Sequence, residues 1–393
     1  MIAPATAHSP HEPTAPIGGR LLTPFTAVLG ALVLVMVAVL GVRFVFGIGA
    51  VSNMNDGYPW GVWIVYDVVI GTALGASGFT VAFLTYIINR GHYHPMVRPA
   101  ILTALFGYIM AGASVFFDIG RYWEAWHIFL PRYAQFNSVL IEVALCISAY
   151  IGVLFIEFLP AVLERFGLHA IRRKIERLLF AFIALGVVLP SMHQSSLGSL
   201  LLVFGPQIDP VYQTRLLPLL FLTSTIGMGL AAVVIEGSVS ALALRRPLER
   251  DLLRSLIRIA RAVITVFLVL RFADLTYRGM WPRLVQPTAV AIVFWVETAL
   301  FVAPLVLLAG ASRRPARWFL AAMAMAIAGM MYRIDAFLVA YDTGAGWHYF
   351  PSLGELAVTL GLIAAEILAF ILIIRLFPVL PRLDRRDVGP AAA

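Results

Sequence analysis

The sequence has little charge and a single cysteine. Of its 393 residues only 13% are charged and 61% are hydrophobic, and the mean hydropathy is +0.90. A soluble fold of this length carries about a quarter charged residues, so the composition excludes a soluble multi-domain protein and indicates a polytopic membrane protein. Cys146 lies inside an apolar run, which excludes a disulfide framework and a cysteine-based metal site within one subunit.

Lysine is equally scarce, because 28 of the 29 basic residues are Arg. The net charge of +8 does not indicate a nucleic-acid-binding face, since the arginines are grouped in short loops between apolar runs. The sequence also lacks a phosphate-binding glycine loop, a zinc motif and a hydrolytic triad. Its function must therefore be sought among the rare polar groups of the apolar runs.

Ten apolar runs are long enough to cross a bilayer as helices. They cover residues 21–45, 61–88, 98–119, 136–160, 174–193, 214–241, 257–275, 289–310, 316–338 and 354–378. The first run is too long for a signal-peptide core and no small-residue cleavage site follows it, so we expect it in the mature protein. The predicted fold class is an all-α membrane protein with ten transmembrane helices.

The basic residues predict how these helices are oriented. The side that holds both termini carries 21 Arg and Lys residues, whereas the opposite loops carry five. Cytoplasmic loops of membrane proteins are enriched in these residues. Both termini are therefore predicted to be cytoplasmic.

Polar residues recur along the chain at an offset of 155 or 156 residues. The matched pairs are Arg98 and Arg254, Asp118 and Asp274, Glu142 and Glu297, Pro160 and Pro315, and His193 and His348. The repeat predicts two four-helix bundles, spans 2–5 and 6–9, which are parallel because an even number of crossings separates them. Spans 1 and 10 would flank them, although acids and arginines also recur at helix ends without any repeat.

The predicted segments follow from this division. They are a flexible cytoplasmic tail (1–20), the first span with a periplasmic loop (21–60), a first four-helix bundle (61–193), a second four-helix bundle (214–338), and the last span with a cytoplasmic tail (354–393).

Acidic residues within the spans are the first functional candidates, because a charge at the bilayer centre costs about 3 kcal/mol. Asp118 and Arg121 are three residues apart, as are Arg271 and Asp274, so each pair could form a structural ion pair on one helix face. Glu142 has no basic residue three or four positions away. It is a candidate for proton exchange, with a cross-helix hydrogen bond as the alternative.

A polar cluster is predicted at the outer edge of the first bundle. His193 ends the fifth run and is followed by Gln194 and serines, which suit the carbonyl and hydroxyl groups of a quinone-like ring; a hydrogen-bonded helix end is the alternative. Trp60 and Trp63 are predicted to be interfacial anchors, with Asp67 below them pointing into the bundle. Haem is disfavoured, because two facing histidines are normally needed and His193 alone is plausible.

Five segments of the sequence resemble the NrfD/PsrC-like membrane subunits. They are Gly-Tyr-Pro-Trp-Gly-Val-Trp-Ile-Val-Tyr-Asp (57–67), Asn-Arg-Gly-His-Tyr-His-Pro-Met-Val-Arg-Pro (89–99), Phe-Asp-Ile-Gly-Arg-Tyr-Trp (117–123), Asn-Ser-Val-Leu-Ile-Glu (137–142) and Met-His-Gln-Ser-Ser-Leu-Gly-Ser-Leu (192–200). The likeness runs from about residue 20 to 380 and is most specific over 57–200. Within the family the sequence looks closest to the membrane subunits of hydrogenase-2.

The resemblance implies a membrane subunit of the bacterial inner membrane that reacts with menaquinone or ubiquinone as substrate and binds no haem. It implies a periplasmic ferredoxin-like iron–sulfur subunit as partner, joined to the small and large subunits of a [NiFe]-hydrogenase. The quinone site would lie near the periplasmic face of the first bundle, and polar residues would conduct protons; whether protons are pumped stays open. A sulfur-metabolism complex of the DsrP-like type is the alternative partner, and a secondary transporter is a second alternative function.

The residues take the following roles in this hypothesis. Quinone protonation is assigned to Glu142 and His193; quinone binding to Asp67, Asp118, Arg121, Trp63 and Gln194; and a proton path to Tyr108, Arg98 and Glu236. No metal ligand is assigned in this chain.

Overall fold

The computed structural model describes residues 14–88, 91–310, 314–344 and 346–381. Most of the predicted tail over 1–20 and the last residues of the predicted segment 354–393 lie outside these ranges. Within them the chain is almost entirely helical, which confirms the all-α prediction.

The described residues form ten long helices. They are α1 (Pro24–Phe46), α2 (Val62–Ile87), α3 (His94–Asp118), α4 (Val139–Arg165), α5 (His169–Phe204), α6 (Leu217–Ala243), α7 (Arg250–Tyr277), α8 (Ala289–Leu307), α9 (Pro315–Ile334) and α10 (Leu353–Leu376). Shorter helical turns lie at Ile48–Ala50, Gly91–Tyr93, Tyr122–Phe129, Gly205–Gln207, Trp281–Val285 and Asp335–Val339.

Nine of these helices are long and apolar enough to cross a membrane, counted over the described ranges. The exception is α7, whose first half carries Arg250, Arg254, Arg258 and Arg261. The number of ten spans and the repeat of two bundles therefore stay predictions.

The two ends of the helical bundle can be told apart by the chain termini. Strand β1 (Thr14–Ala15) pairs antiparallel with strand β2 (Leu380–Pro381), at what we call the terminal end. Arg98, in the first turns of α3, reaches this end, because it donates to the carbonyl of Pro378 at 2.6 Å. The opposite end, where α3 finishes and α10 begins, is the distal end.

Helix α2 is irregular and central. It contains two π-helical segments, Val65–Gly71 and Phe83–Ile87, which are frequent at functional sites. It packs against α3 of the first predicted bundle and against α6 and α9 of the second. The approach to α6 is close, since a Cβ on Gly229 would lie 2.7 Å from the backbone of Ala76, so only glycine fits there.

Helices α1 and α10 pack against each other, and α10 also packs against α3. Near the distal end Met36, Leu40, Trp63, Val358 and Leu362 form one apolar cluster. Trp63 is only 1% exposed, so the prediction that it is an interfacial anchor is wrong. The indole is buried because α1 and α10 cover the start of α2.

The predicted end of the fifth span at His193 is also wrong. Helix α5 continues to Phe204, because residues 194–204 contain no proline and no charged residue that would end the helix. His193 therefore lies 11 residues inside α5, about 16 Å from its distal end at the rise of an α-helix. It belongs to the interior of the bundle rather than to its edge.

Arg43 of α1 holds the distal end of α3. Its guanidinium donates to the carbonyls of Phe117 at 2.6 Å and Ile119 at 2.5 Å, and it is 1% exposed. These two carbonyls belong to the end of a helix, where no intrahelical donor is available. Arg43 thereby ties the flanking helix α1 to the first bundle.

We expect Arg43→Met to lower the free energy of unfolding by about 3 kcal/mol, because two charge-assisted hydrogen bonds are lost and two carbonyls are left without donors. Denaturant unfolding of the purified protein in detergent, followed by tryptophan fluorescence, measures this change. Arg121→Met is the control, since the Arg121 side chain is 74% exposed. Equal stability of the Arg43 variant and the wild type would contradict this account of α1.

Candidate functional site

The site begins at the distal end with a partly buried hydrogen bond between α2 and α3. The indole Nε1 of Trp63 donates to Oδ1 of Asp118 at 2.7 Å. Arg43 lies near this carboxylate and contributes a favourable charge. The structure thus brings together two of the predicted quinone-binding residues.

The predicted pair of Asp118 and Arg121 does not form. Helix α3 ends at Asp118, so the three-residue spacing no longer places the two side chains on one helix face. Arg121 instead lies in the following turn and pairs with Glu124 at 3.3 Å. Its side chain is mostly exposed, away from the Trp63–Asp118 hydrogen bond.

Glu355, in the first turn of α10, is the centre of a second group of hydrogen bonds at the distal end. It is fully buried and accepts hydrogen bonds from the Tyr349 hydroxyl at 2.6 Å and from the Asn53 amide at 3.0 Å. The Tyr349 oxygen in turn accepts from the amide of Val62, the first residue of α2, at 2.6 Å. Burial and the Glu355 carboxylate raise the pKa of the Tyr349 phenol above its ordinary value, so this phenol remains protonated and donating.

Asp67 follows Trp63 by one turn of α2. It is 5% exposed, and its Oδ2 has no hydrogen-bond partner among the described residues. Ser114 of α3 and Glu366 of α10 lie beside it. A buried carboxyl with a free oxygen can accept or release a proton without first breaking a hydrogen bond at that atom.

Trp63, Asp67 and Thr72 follow one another along α2 as a row of polar groups, and Thr72 joins this row to His193 and Gln194 of α5. Its Oγ1 donates to the Val68 carbonyl and lies 2.9 Å from Nε2 of Gln194 and 3.0 Å from Nε2 of His193. Because the hydroxyl proton is committed to Val68, the histidine Nε2 must be the donor in its contact. Nδ1 of His193 is then an unprotonated nitrogen, and no described residue donates to it.

This network continues into the second predicted bundle. Thr225 of α6 donates to Oε1 of Gln194 at 2.7 Å, and Arg333 of α9 donates to Thr225 at 2.5 Å. Arg333 is fully buried and also donates to the carbonyl of Val69 at 3.0 Å. A buried positive charge therefore lies two hydrogen bonds from Gln194.

Tyr108 lies beside His193, and Tyr150 packs against Tyr108. The ring of Tyr108 is 5.8 Å from the imidazole and 4.6 Å from the ring of Tyr150, measured between centroids. Neither hydroxyl makes a hydrogen bond within the described part of the chain. His193 thus groups with Tyr108, a predicted proton-path residue, rather than with the distal Trp63–Asp118 pair.

Three predicted site residues lie apart from this group. Glu142 is half-buried in the first turn of α4, and its carboxylate has no hydrogen bond or ion pair with a described residue. Arg98 is at the terminal end, where it pairs with Glu164 at 2.7 Å. Glu236 of α6 accepts from Thr103 of α3 at 2.8 Å.

Thr72, Ser114, Arg333 and Glu366 lie within or beside this network of polar groups, yet no site prediction includes them. Glu366 had a sequence signal, since it is an acid deep in an apolar span. Thr72 and Ser114 had none, because hydroxyl residues are common in transmembrane helices and usually bond to their own backbone.

A cavity of about 260 Å³ opens at the distal end between α1 and the start of α10. It is lined by Val39, Val42, Gly49, Ala50, Val51, Ser52, Asn53, Ser352 and Gly354. Val51 also packs in the apolar cluster that contains Trp63, although Trp63 and Asp118 themselves do not line the cavity. Glu142 and His193 do not line it.

Metal-binding side chains do not converge in the described ranges, where no three His, Cys, Asp or Glu residues are close enough to hold an ion. His193 is the one buried histidine among the described residues. Its Nε2 is already engaged by Thr72.

Comparison with known proteins gives a family match over most of the chain. Residues 50–341 match the family described as "Polysulphide reductase, NrfD". The "Probable Ni/Fe-hydrogenase 2 b-type cytochrome subunit" of Escherichia coli (strain K12) is 40% identical over 382 residues, which are 96% of this chain and 97% of that protein.

Two further relatives come from Nitratidesulfovibrio vulgaris. One, which carries no functional name, is 33% identical over 377 residues, 92% of this chain and 95% of that protein. The other, the "Menaquinone reductase, integral membrane subunit", is 30% identical over 239 residues, 58% of this chain and 56% of that protein.

We predict that the hydroxyl of Thr72 contributes measurably to the free energy of unfolding. Thr72→Val keeps the shape of the side chain but leaves two fully buried donors, on His193 and Gln194, without this acceptor, so we expect the free energy of unfolding to fall by about 2 kcal/mol. Thr223→Val is the matched control, because that hydroxyl bonds to carbonyls of its own helix. Unfolding in detergent measures both, and an equal effect of the two substitutions would contradict the network.

Proposed function

This chain belongs to the NrfD family, and on that basis we propose that it is the quinone-reactive subunit of a membrane redox complex. The resemblance found in the sequence is confirmed by the family match and by the hydrogenase-2 relative. Relatives of this chain are subunits of redox complexes, as their names state. We propose that this subunit passes electrons between an iron–sulfur partner and the menaquinone or ubiquinone pool.

We propose that the terminal end faces the cytoplasm and the distal end the periplasm, across the bacterial inner membrane. The excess of arginine in loops on the side of the termini supports this orientation. All ten long helices then cross the membrane, including α7, whose basic first half begins at the terminal end. The excess of arginine is thereby explained by topology rather than by ligand binding.

The quinone ring is proposed to bind at the distal end, beside Trp63 and Asp118. The observation that carries this proposal is the row of polar groups along α2, which begins with Trp63 at the distal end and continues through Asp67 to Thr72. Trp63 and Thr72 are nine residues apart, about 13 Å at helical rise. The cavity next to Val51 offers a lipid-soluble ring access to this end.

Reduction of a quinone to a quinol consumes two electrons and two protons, so the ring needs proton donors in a site that excludes lipid. Asp67 has a free carboxyl oxygen and stands between Trp63 and Thr72 along α2. His193, with its unprotonated Nδ1, is proposed to exchange protons with the row rather than to touch the ring. Glu142 is proposed as a second proton donor at the distal end, and Gln194 as a residue that orients His193 through Thr72.

A proton path from the terminal end is proposed along one face of α3. Thr103, Gly107 and Ser114 share this face, since they are four and seven residues apart. They meet, in order, Glu236 of α6, Glu366 of α10 and Asp67 of α2.

Along this face Glu366 lies within electrostatic range of both Glu236 and Asp67, and like charges in low-dielectric surroundings repel each other. Arg98 would stand at the cytoplasmic mouth of the path and Tyr108 beside its centre. The three carboxyls thus form a row of proton-binding groups from the cytoplasmic half of α3 to the quinone.

The proposed partners are a periplasmic ferredoxin-like iron–sulfur subunit and the small and large subunits of a [NiFe]-hydrogenase, by analogy with the hydrogenase-2 relative. That relative is named a b-type cytochrome, but haem between helices normally needs two facing histidines. His193 alone is buried among the described histidines, so these residues do not fit a bis-histidine haem. We propose that the iron–sulfur and nickel–iron centres reside in the partner subunits.

A different partner is the alternative function. The relative named as a menaquinone reductase subunit favours the same quinone chemistry with a donor other than hydrogenase, such as a sulfur-metabolism complex. The secondary transporter has no such support. The genes next to this one distinguish the two quinone-linked complexes, because they encode the electron-donating subunits.

We expect Trp63→Phe to lower hydrogen-dependent quinone reduction by at least about tenfold, because Asp118 loses the donor that orients it beside the ring. Trp60→Phe is the matched control, since that indole donates to the Phe337 carbonyl instead. Both variants are assayed in membranes as assembled complexes, with a quinone analogue and with a viologen dye that takes electrons from the soluble subunits. Quinone reduction that is unchanged by Trp63→Phe and by Asp118→Asn would overturn the proposed ring position.

The proton path predicts a separate effect of Glu366→Gln. In proteoliposomes with an enclosed pH-sensitive dye, this variant should lower proton uptake from the cytoplasmic side by at least about tenfold, because a neutral amide cannot relay protons. Glu157→Gln is the control, since Glu157 is a buried carboxyl on α4 that borders Gly186 of α5 rather than this face of α3. Proton uptake that Glu366→Gln leaves intact would rule out the path.

A further inference from the structure

The second predicted bundle holds a buried cluster of charged groups that the proposed quinone chemistry does not use. Arg271 of α7 forms an ion pair with Glu297 of α8, and these side chains are 6% and 0% exposed. The Tyr212 hydroxyl donates to Oε2 of Glu297 at 2.8 Å. The prediction that Arg271 pairs with Asp274 is therefore wrong, because a partner on another helix lies closer.

Asp335 adds a second carboxyl to this cluster. It begins the π-helical turn Asp335–Val339 that follows α9 and is 3% exposed. It lies next to Glu297 and Tyr212, and its Oδ2 has no hydrogen-bond partner in the ranges that the structure describes.

Among the described residues, the charged groups Arg333 and Asp274 near Asp335 form their hydrogen bonds with other partners. Arg333, two residues earlier, donates to Val69, Thr225 and other groups of α2 and α6 instead. Asp274 accepts from Thr214 and Arg278, both at 2.7 Å. Two carboxyls thus share one guanidinium, Arg271, in a site lined by aromatic rings.

That arrangement has a simple chemical consequence. Two ionised carboxylates next to each other repel, and low-dielectric surroundings strengthen the repulsion. A single proton held by the pair leaves one negative charge, which the Arg271 guanidinium balances. The neutral Tyr212 and Tyr332 phenols can donate to the remaining carboxylate or face it without adding charge.

A small cavity lies between Arg271 and Tyr212 of this cluster and the Asp274–Arg278 pair. Its volume is about 10 Å³, and its lining includes Tyr212, Arg271, Asp274, Arg278 and Tyr332. That space is about the size needed for one water molecule. A water there would contact Arg271 and Tyr212 of the cluster on one side and the Asp274–Arg278 pair near the distal surface on the other, whereas Glu297 and Asp335 do not line the cavity.

We propose that Glu297 and Asp335 form a second proton-binding site, which holds one proton between two carboxyls and exchanges it with water at the distal face. In the release step the O–H bond of Asp335 breaks and its proton passes to the oxygen of Tyr212, which lies next to Asp335 and lines the cavity. Tyr212 at the same time gives its own hydroxyl proton to water in the cavity, so it stays a neutral phenol. Arg271 and Tyr212 then stabilise the two carboxylates that remain. The site uses none of the residues proposed to bind quinone, so it stands or falls independently of the quinone position.

Infrared spectroscopy of the full-length protein in lipid nanodiscs tests this site through the stretch of protonated carboxyl groups at neutral pH. We expect Asp335→Asn to remove the signal of one protonated carboxyl per molecule while leaving the Arg271–Glu297 ion pair in place. Glu297→Gln should remove the same signal, because Asp335 then ionises against Arg271. Asp342→Asn, at an exposed carboxyl outside the cluster, is the control and should leave the signal unchanged.

Proton exchange with water, and the preference of the site for a proton over sodium, are measured on the same samples. In D₂O the signal assigned to Asp335 should shift, and Asp274→Asn should slow the shift while retaining the signal. A spectrum unaltered by both Asp335→Asn and Glu297→Gln would overturn the proposal, as would a signal that never shifts in D₂O. Loss of the signal on replacing choline chloride by sodium chloride at constant pH would identify a metal-cation site and also overturn it. Circular dichroism and thermal unfolding verify that each variant is folded.

Discussion

Polar groups inside a bilayer must find their partners within the protein, because lipid supplies no hydrogen bonds. This chain meets that requirement chiefly through α2, which packs against both predicted bundles. Its π-helical segment Val65–Gly71 carries Asp67 and leads directly to Thr72. Trp63, Asp67 and Thr72 thereby present three polar groups in a row, of which Trp63 and Asp67 face α3 and Thr72 faces α5. The candidate site, the proposed proton path and the contact between the predicted bundles all depend on this one irregular helix.

Acidic residues at matched positions of the two predicted bundles have different surroundings. Asp118 accepts a hydrogen bond from an indole, whereas its counterpart Asp274 is paired with Arg278. Glu142 is half-buried without a hydrogen-bond partner among the described residues, whereas Glu297 is fully buried against Arg271. A shared sequence offset therefore does not give a shared environment. In our proposals the first environment serves quinone chemistry, while the second stores a proton.

The sequence predicted the helices well, because apolar runs of this length have one stable form in a membrane. It also identified Trp63, Asp118 and His193 as candidates. It failed on the burial of Trp63, because that burial depends on α1 and α10 from distant parts of the chain. It also failed on the two predicted local ion pairs. Asp118 and Arg121 do not share a helix because α3 ends at Asp118, and Arg271 pairs with Glu297 of another helix rather than with Asp274. No pattern in the sequence indicated the role of Thr72.

The central claim is that a quinone ring binds at the distal end of α2, in the first bundle. A photoreactive menaquinone analogue, crosslinked to the assembled complex in membranes and mapped by mass spectrometry, tests it most directly. The account predicts labelling near Val51, Trp63 and Asp118, and loss of that labelling when unmodified menaquinone competes. Competed labelling confined to α7–α9 or to the terminal end of the bundle would contradict it.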